Sequence, residues 1–76
     1  MTKYTTEQKA DIIIAEIMGQ QAFMAGKPAA PACDSEVCKL MKNYPTWSDS
    51  DSAIRKQIMK NWTKGWHIMN MAAEVA

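Results

Sequence analysis

The last third of the chain repeats apolar residues with the period of an α-helix, and this pattern restricts the fold more than any other feature. The repeated positions are Ile54, Ile58, Trp62, Gly65 or Trp66, Met69 and Ala73. A spacing of three or four residues places these side chains on one face of a helix. Hydroxyl and acidic residues at 48–52 come directly before the pattern, and such residues favour a helix start. We therefore predict a long helix over about residues 51–74.

The amino-terminal third predicts a second long helix, over about residues 6–25. Threonines at 5 and 6 can cap its start, and Gly26 followed by Pro28 ends it. Its apolar sector is wide, with one stripe at Ile13, Ile17 and Met24 and neighbouring positions at Ile14, Met18, Ala22 and Ala25. The run of three isoleucines has β-branched character, but its place inside a periodic segment favours helix.

The segment between these helices combines a linker, a short helix and a loop. Prolines at 28 and 31 indicate an extended linker over 26–34. Asp34 or Ser35 can cap a short helix over about 35–42, and a loop over 43–50 follows. No stretch alternates with period two. We predict an all-α fold, a helical hairpin of two main helices with a short middle helix in the connection, in a single small domain over residues 1–76.

Small residues and tryptophans indicate where the two main helices cross. Gly65 lies inside a helical pattern, where glycine costs about 1 kcal/mol relative to alanine, so we expect a packing reason for it. Other small residues that let a second backbone approach lie near the end of the first helix, at Gly19, Ala22, Ala25 and Gly26. Trp62 and Trp66 are one turn apart, and we expect both in the core.

The sequence lacks motifs for catalysis, metal binding or membrane insertion. Cys33 and Cys38 are expected to be free thiols, and with His67 as the only histidine they supply too few zinc ligands. The glycines are scattered and form no phosphate-binding loop. The longest apolar run is too short to cross a bilayer, and residues 1–6 lack a signal peptide's apolar region. We predict a cytoplasmic protein that is not an enzyme, uses no cofactor or metal and does not contact a membrane.

The charge is balanced overall but clustered locally. Nine basic and eight acidic residues give a formal net charge of +1, which differs from the strongly basic balance of typical nucleic-acid-binding proteins. Lys56, Lys60 and Lys64 are spaced i, i+4, i+8 and share one helix face, with Arg55 beside them and Lys27 at the end of the first helix. Two interpretations stay open: this face follows a phosphate backbone, or it is a solvated face opposite the core.

Two segments resemble the ribosome modulation factor family, whose members are short bacterial proteins with relatives in phages and prophages. The family's first motif has a glycine, a Gln-Ala pair, an Ala-Gly pair and a basic residue, which are matched here by Gly19, Gln21, Ala22, Ala25, Gly26 and Lys27. Its second motif is Trp-x-x-Gly-Trp, matched by Trp62, Gly65 and Trp66. The stretch between the motifs is longer in this chain, and the chain is less basic than the family's founder.

The resemblance implies a helix–linker–helix protein that binds ribosomal RNA on the small ribosomal subunit and reduces translation. It also implies that the second motif holds the two helices together. The residues that would then contact RNA phosphates are Lys27, Arg55, Lys56, Lys60 and Lys64.

Two alternatives stay open beside this expectation. The first alternative is a phage- or prophage-encoded inhibitor that binds a host protein through the same scaffold. It is indicated by the seven methionines, the near-neutral charge and Trp47. Trp47 stands outside the apolar repeats, so it either packs onto the hairpin or anchors a partner. A homodimer is the second alternative, because the wide apolar sector of the first helix together with the apolar stripe of the last helix is more than we expect one hairpin to bury.

Overall fold

The computed structural model describes residues 4–44 and 49–75. Within these residues the chain forms three α-helices and a 3-10 turn and no strand: α1 at Thr6–Met24, the turn at Pro31–Cys33, α2 at Ser35–Met41 and α3 at Asp49–Val75. The predicted all-α fold, with two main helices and a short middle one, is confirmed. The prediction for Trp47 lies outside the described residues.

Both ends of α1 are closed by local hydrogen bonds that its sequence supplies. The Thr5 hydroxyl accepts from the Gln8 backbone N–H, and the Gln8 side chain accepts from the Thr5 N–H, which makes a capping box. At the other end Gly26 has a φ of 78°, and the Lys27 N–H donates to the Ala22 carbonyl at 2.9 Å. This is the glycine-terminated helix end expected from the sequence, because only glycine adopts a left-handed φ without strain.

The two long helices run in the same direction, because the connection brings the chain back to the start of α1. Tyr44, which follows α2, donates from its hydroxyl to the Asp11 carboxylate in the first half of α1. The Tyr44 carbonyl accepts from Arg55 near the start of α3. At the opposite end, Trp66 of α3 packs edge-on against Phe23 of α1. The linker and α2 therefore return the chain alongside the two long helices.

The face of α1 that packs on α3 is the face with the smallest apolar residues. Its buried positions are Ile12, Ala15, Gly19 and Ala22. The stripe through Ile13, Ile17 and Met24 is not the buried face, since these side chains are 61, 47 and 73% exposed. Periodicity alone could not choose between the two faces, because apolar residues surround most of this helix. The face with small residues is the buried one because small side chains let the two helix backbones approach closely and leave fewer gaps between them.

The core lies where α2 covers the groove between α1 and α3. Besides the buried positions of α1 it contains Val37, Met41, Tyr44, Ile54, Ile58 and Trp62. The α3 stripe continues through buried Gly65 to half-buried Met69, while Ala73 is exposed in the last turns. The molecule measures 41 × 27 × 15 Å. Its long dimension is that of α3 alone, since 27 residues of helix span about 40 Å.

Candidate functional site

The two segments that carry the family resemblance meet at the crossing of α1 and α3. A Cβ atom added to Gly19 would overlap the carbonyl oxygen of Trp62, and one added to Gly65 would overlap the carbonyl oxygen of Glu16. Each helix therefore contacts the backbone of the other at a glycine. This close contact is the packing reason that we expected for Gly65. Ala22 is buried beside this contact, whereas Ala25 is exposed. The close contact at the crossing sets the orientation of α3 relative to α1.

The two tryptophans of α3 hold the linker as well as the core. Trp62 is fully buried, as expected, and its indole Nε1–H donates to Oδ2 of Asp34 at 2.7 Å. Trp66 is half-buried, and its Nε1–H donates to the backbone carbonyl of Lys27 at 2.9 Å. Each indole thus packs its rings against the core and donates its single N–H to the linker.

Asp34 is the buried polar group on which the linker closes. Its Oδ1 accepts from Nζ of Lys27 at 3.1 Å and from the backbone N–H of Glu36 at 3.2 Å, and its Oδ2 accepts from Trp62. Burial acts to raise the pKa of Asp34, but the hydrogen bonds from Trp62 and Lys27 outweigh it and hold the pKa below 3.8. Sequence reasoning assigned Asp34 only a helix cap. The signal in the sequence was Trp62, because a tryptophan in the core needs an acceptor for its indole N–H, and its neighbours in α3 offer no acidic side chain.

Lys27 and Arg55, which the resemblance assigned to RNA phosphates, have partners inside the molecule. Lys27 is the ion-pair partner of the nearly buried Asp34 carboxylate. Arg55 donates from Nη1 to the carbonyl oxygens of Met41 at 2.7 Å and Tyr44 at 3.0 Å. The Met41 carbonyl belongs to the last residue of α2, where helices leave acceptors unsatisfied, and the Tyr44 carbonyl lies three residues further along the chain. Both cations therefore stabilise the connection, which spacing in the sequence did not reveal.

The remaining basic residues, Lys56, Lys60 and Lys64, form what we call the lysine face. All three are exposed, and successive members are about 6 Å apart along the α3 axis. No acidic residue occurs between positions 52 and 73, so the outer surface of this helix is positive although the chain is nearly neutral. His67 is exposed one turn beyond Lys64 and packs edge-on against Trp66.

Lys64 is the member of the lysine face that has an acidic neighbour. Its Nζ lies 3.5 Å from Oε1 of Glu16 on α1, and its side chain is 64% exposed. Exposed ion pairs of this kind contribute little free energy, so the ammonium group can exchange its partner. In the part of the chain that the structure describes, Lys56 and Lys60 have no ion-pair partner.

A part-buried hydrogen bond joins the chain after α2 to α1. The Tyr44 hydroxyl donates to the Asp11 carboxylate, and burial together with that bond raises the pKa of Tyr44 to about 12. From the sequence, Tyr44 falls only in the loop predicted over 43–50. Its side chain instead ties the connection to α1, which leaves the phenol unavailable for chemistry.

Chemically reactive groups do not converge in the described residues. Cys33 and Cys38 are free, and Cys38 packs partly against the core. Within residues 4–44 and 49–75, no three His, Cys, Asp or Glu side chains come close enough to hold a metal ion. None of the described helices contains a stretch long and apolar enough to cross a bilayer. A shallow pocket near Lys27 and Asp34 is lined in part by Met18 and Gln21, but its carboxylate already has partners.

Comparison with known proteins gives no match: no family model, no curated protein and no solved structure is significantly similar to this chain.

Proposed function

We propose that this chain is a non-enzymatic binding protein that contacts RNA through the lysine face, as its resemblance to ribosome modulation factors implies. The observation that carries the proposal is the positive outer surface of α3, on which Lys56, Lys60 and Lys64 are all exposed while no acid interrupts the helix from 52 to 73. Lysines attract phosphates as point charges and release counterions when they bind.

The helix crossing supports the same proposal because it fixes the orientation of the lysine face. Gly19 and Gly65 lock the two long helices together, and Trp62 and Trp66 hold the linker. A binding surface on a rigid helix loses little conformational entropy when it meets its ligand. The proposed ligand is ribosomal RNA on the small subunit, and the proposed effect of binding is reduced translation.

Salt dependence of binding tests which cations contact the phosphates. Three lysines predict that log affinity falls with log salt at a slope of about −2 to −2.7, or about 20- to 40-fold between 50 and 200 mM. Five cations, with Lys27 and Arg55 included, would give a slope of about −3.5 to −4.5. Co-sedimentation with purified small subunits over a salt series measures this slope.

A charge-matched pair of variants separates the lysine face from general electrostatic attraction. The variant K56A/K60A/K64A removes the face, and the control K9A/K39A/K42A removes three other exposed lysines and the same net charge. We expect the first to lose binding and the second to keep most of it. Equal losses in both variants, or no salt-sensitive association at low ionic strength, would contradict the proposal. Purification of one stoichiometric protein without ribosomal RNA would support the inhibitor alternative instead.

A further inference from the structure

The outer side of α1 carries a row of residues with the spacing of a helix-packing seam. We call Ala10, Ile13, Ile17, Gln20 and Met24 the outer seam; consecutive members are separated alternately by three and four positions. Gln20 is half-buried and the other four are exposed. This alternation is the a and d pattern with which one α-helix packs along another.

No described element covers the outer seam. The buried positions of α1 are used by α2 and α3, which pack against its small-residue side. The molecule is only 15 Å thick in its shortest dimension, close to a single layer of helices. Ile14 is also exposed and lies next to the seam. Four large apolar side chains on one helix thus remain in water in the single chain.

We propose that the outer seam binds the outer seam of a second copy of this chain, with the two α1 helices antiparallel about a two-fold axis level with Ala15. The midpoint of α1 lies at this level, since the helix spans Thr6–Met24. A two-fold interface uses the same patch on both subunits, so the patch must complement itself. The outer seam meets this requirement in side-chain volume.

Side-chain volumes favour the antiparallel arrangement over the parallel one. In the antiparallel pair, Ile13 faces Ile17 of the second copy, and the small Ala10 faces the larger Gln20. Met24 likewise faces the threonine at the start of α1. Each layer then combines similar total volumes, which is what close packing requires. Parallel helices would instead place Ala10 against itself and Met24 against itself, leaving a gap in one layer and crowding another.

The centre of this interface is formed by the isoleucine run of the sequence. Ile13, Ile14 and Ile17 of both copies cluster around the two-fold axis, and opposed helix dipoles also favour the antiparallel pair. Lys56 and Lys60 lie on α3 and stay exposed, so the dimer is independent of the proposed RNA contact. Because α1 has only 19 residues, we expect the interface to bury less than the roughly 800 Å² per partner of a standard complex. We therefore expect a weak dimer, formed at high concentration.

Sedimentation equilibrium over a concentration series tests the dimer. The chain has a mass of 8.5 kDa, and we expect the average mass to rise towards twice that value as concentration increases to the millimolar range. Ile17→Glu should abolish the rise, because the interface would then contain two buried carboxylates. Met71→Glu is the matched control, since Met71 is an exposed apolar residue on α3. This control should self-associate like the wild type.

Both substitutions replace exposed side chains, so we expect the same helical circular dichroism from both. Distances between spin labels test the helix direction. A label on Glu7→Cys, with the native cysteines changed to serine, gives a separation of about 24 Å along the axis for the antiparallel pair and about 10 Å for a parallel pair. A monomer at all concentrations, equal self-association of Ile17→Glu and wild type, or the short distance would each overturn the proposal.

Discussion

The two faces of α1 contrast in a way that hydrophobicity alone does not explain. The inner face is built from Ala15, Gly19 and Ala22 and is buried, whereas the outer face carries Ile13 and Ile17 and is exposed. If the amount of apolar surface alone decided which face packs, the isoleucines would be buried. What decides the packing is how closely the second backbone can approach, and glycine and alanine allow the closest approach.

The contrast also assigns different roles to the two faces. The inner face determines the position of α3, because a Cβ atom added at Gly19 there would meet the backbone of the other helix. The outer face contributes little to the fold of one chain and is free to contact another molecule. Substitutions should therefore have large effects on stability at the inner face and small effects at the outer face.

The largest effect is expected where an added methyl group would meet backbone. Gly19→Ala should cost about 4 kcal/mol or more in the free energy of unfolding, because its Cβ would overlap the Trp62 carbonyl oxygen. Gly26→Ala adds the same methyl group where nothing lies within 4 Å, and it should cost about 1–2 kcal/mol through its φ of 78°. Urea unfolding measures both values. A Gly19→Ala variant as stable as Gly26→Ala would contradict the close crossing.

An isoleucine pair compares buried and exposed faces with identical chemistry. Ile58 of α3 is fully buried, and Ile58→Ala should cost about 3 kcal/mol because it leaves a cavity. Ile17→Ala, on the outer face of α1, should change the free energy of unfolding by less than about 0.5 kcal/mol in dilute solution. Comparable costs at the two positions would show that α1 packs through its isoleucine stripe after all.

A smaller effect is expected where the linker closes over the inner face. Asp34→Asn should cost about 2 kcal/mol, because the amide cannot replace the charged hydrogen bonds to Lys27 and Trp62. The pKa of Asp34 in the folded state lies below its ordinary value, so its stabilising contribution is present above the ordinary pKa and is lost as the pH falls from there through the folded-state pKa.

Thermal unfolding from pH 7 to pH 3 tests this expectation, with Glu36→Gln as the matched change at an exposed acid. The stability difference between wild type and Asp34→Asn should be constant near neutral pH and should shrink only at the acidic end. If that difference is absent at pH 7, or if Glu36→Gln has the same effect, the buried carboxylate is not what holds the linker.

Sequence reasoning reached the helices more accurately than their contacts. It placed α1, α2 and α3 within two residues of their observed ends, since Gly26 and the acidic residues in the first turn of α3 act locally. The lysine face was also readable from i, i+4 spacing. The partners of Lys27 and Arg55 could not be read from the sequence. Asp34 and the Met41 carbonyl reach these cations only because the chain folds back alongside the two long helices.

What the sequence determined by itself is therefore local: the helix boundaries, the glycine stop after α1, and the positive outer surface of α3. These depend on hydrogen bonds and spacing within a few residues. Only the tertiary structure decided which face of α1 is buried, which cations remain free and which acid holds the linker. Each of these depends on how closely distant segments approach, and apolar residues all round α1 left that choice to packing.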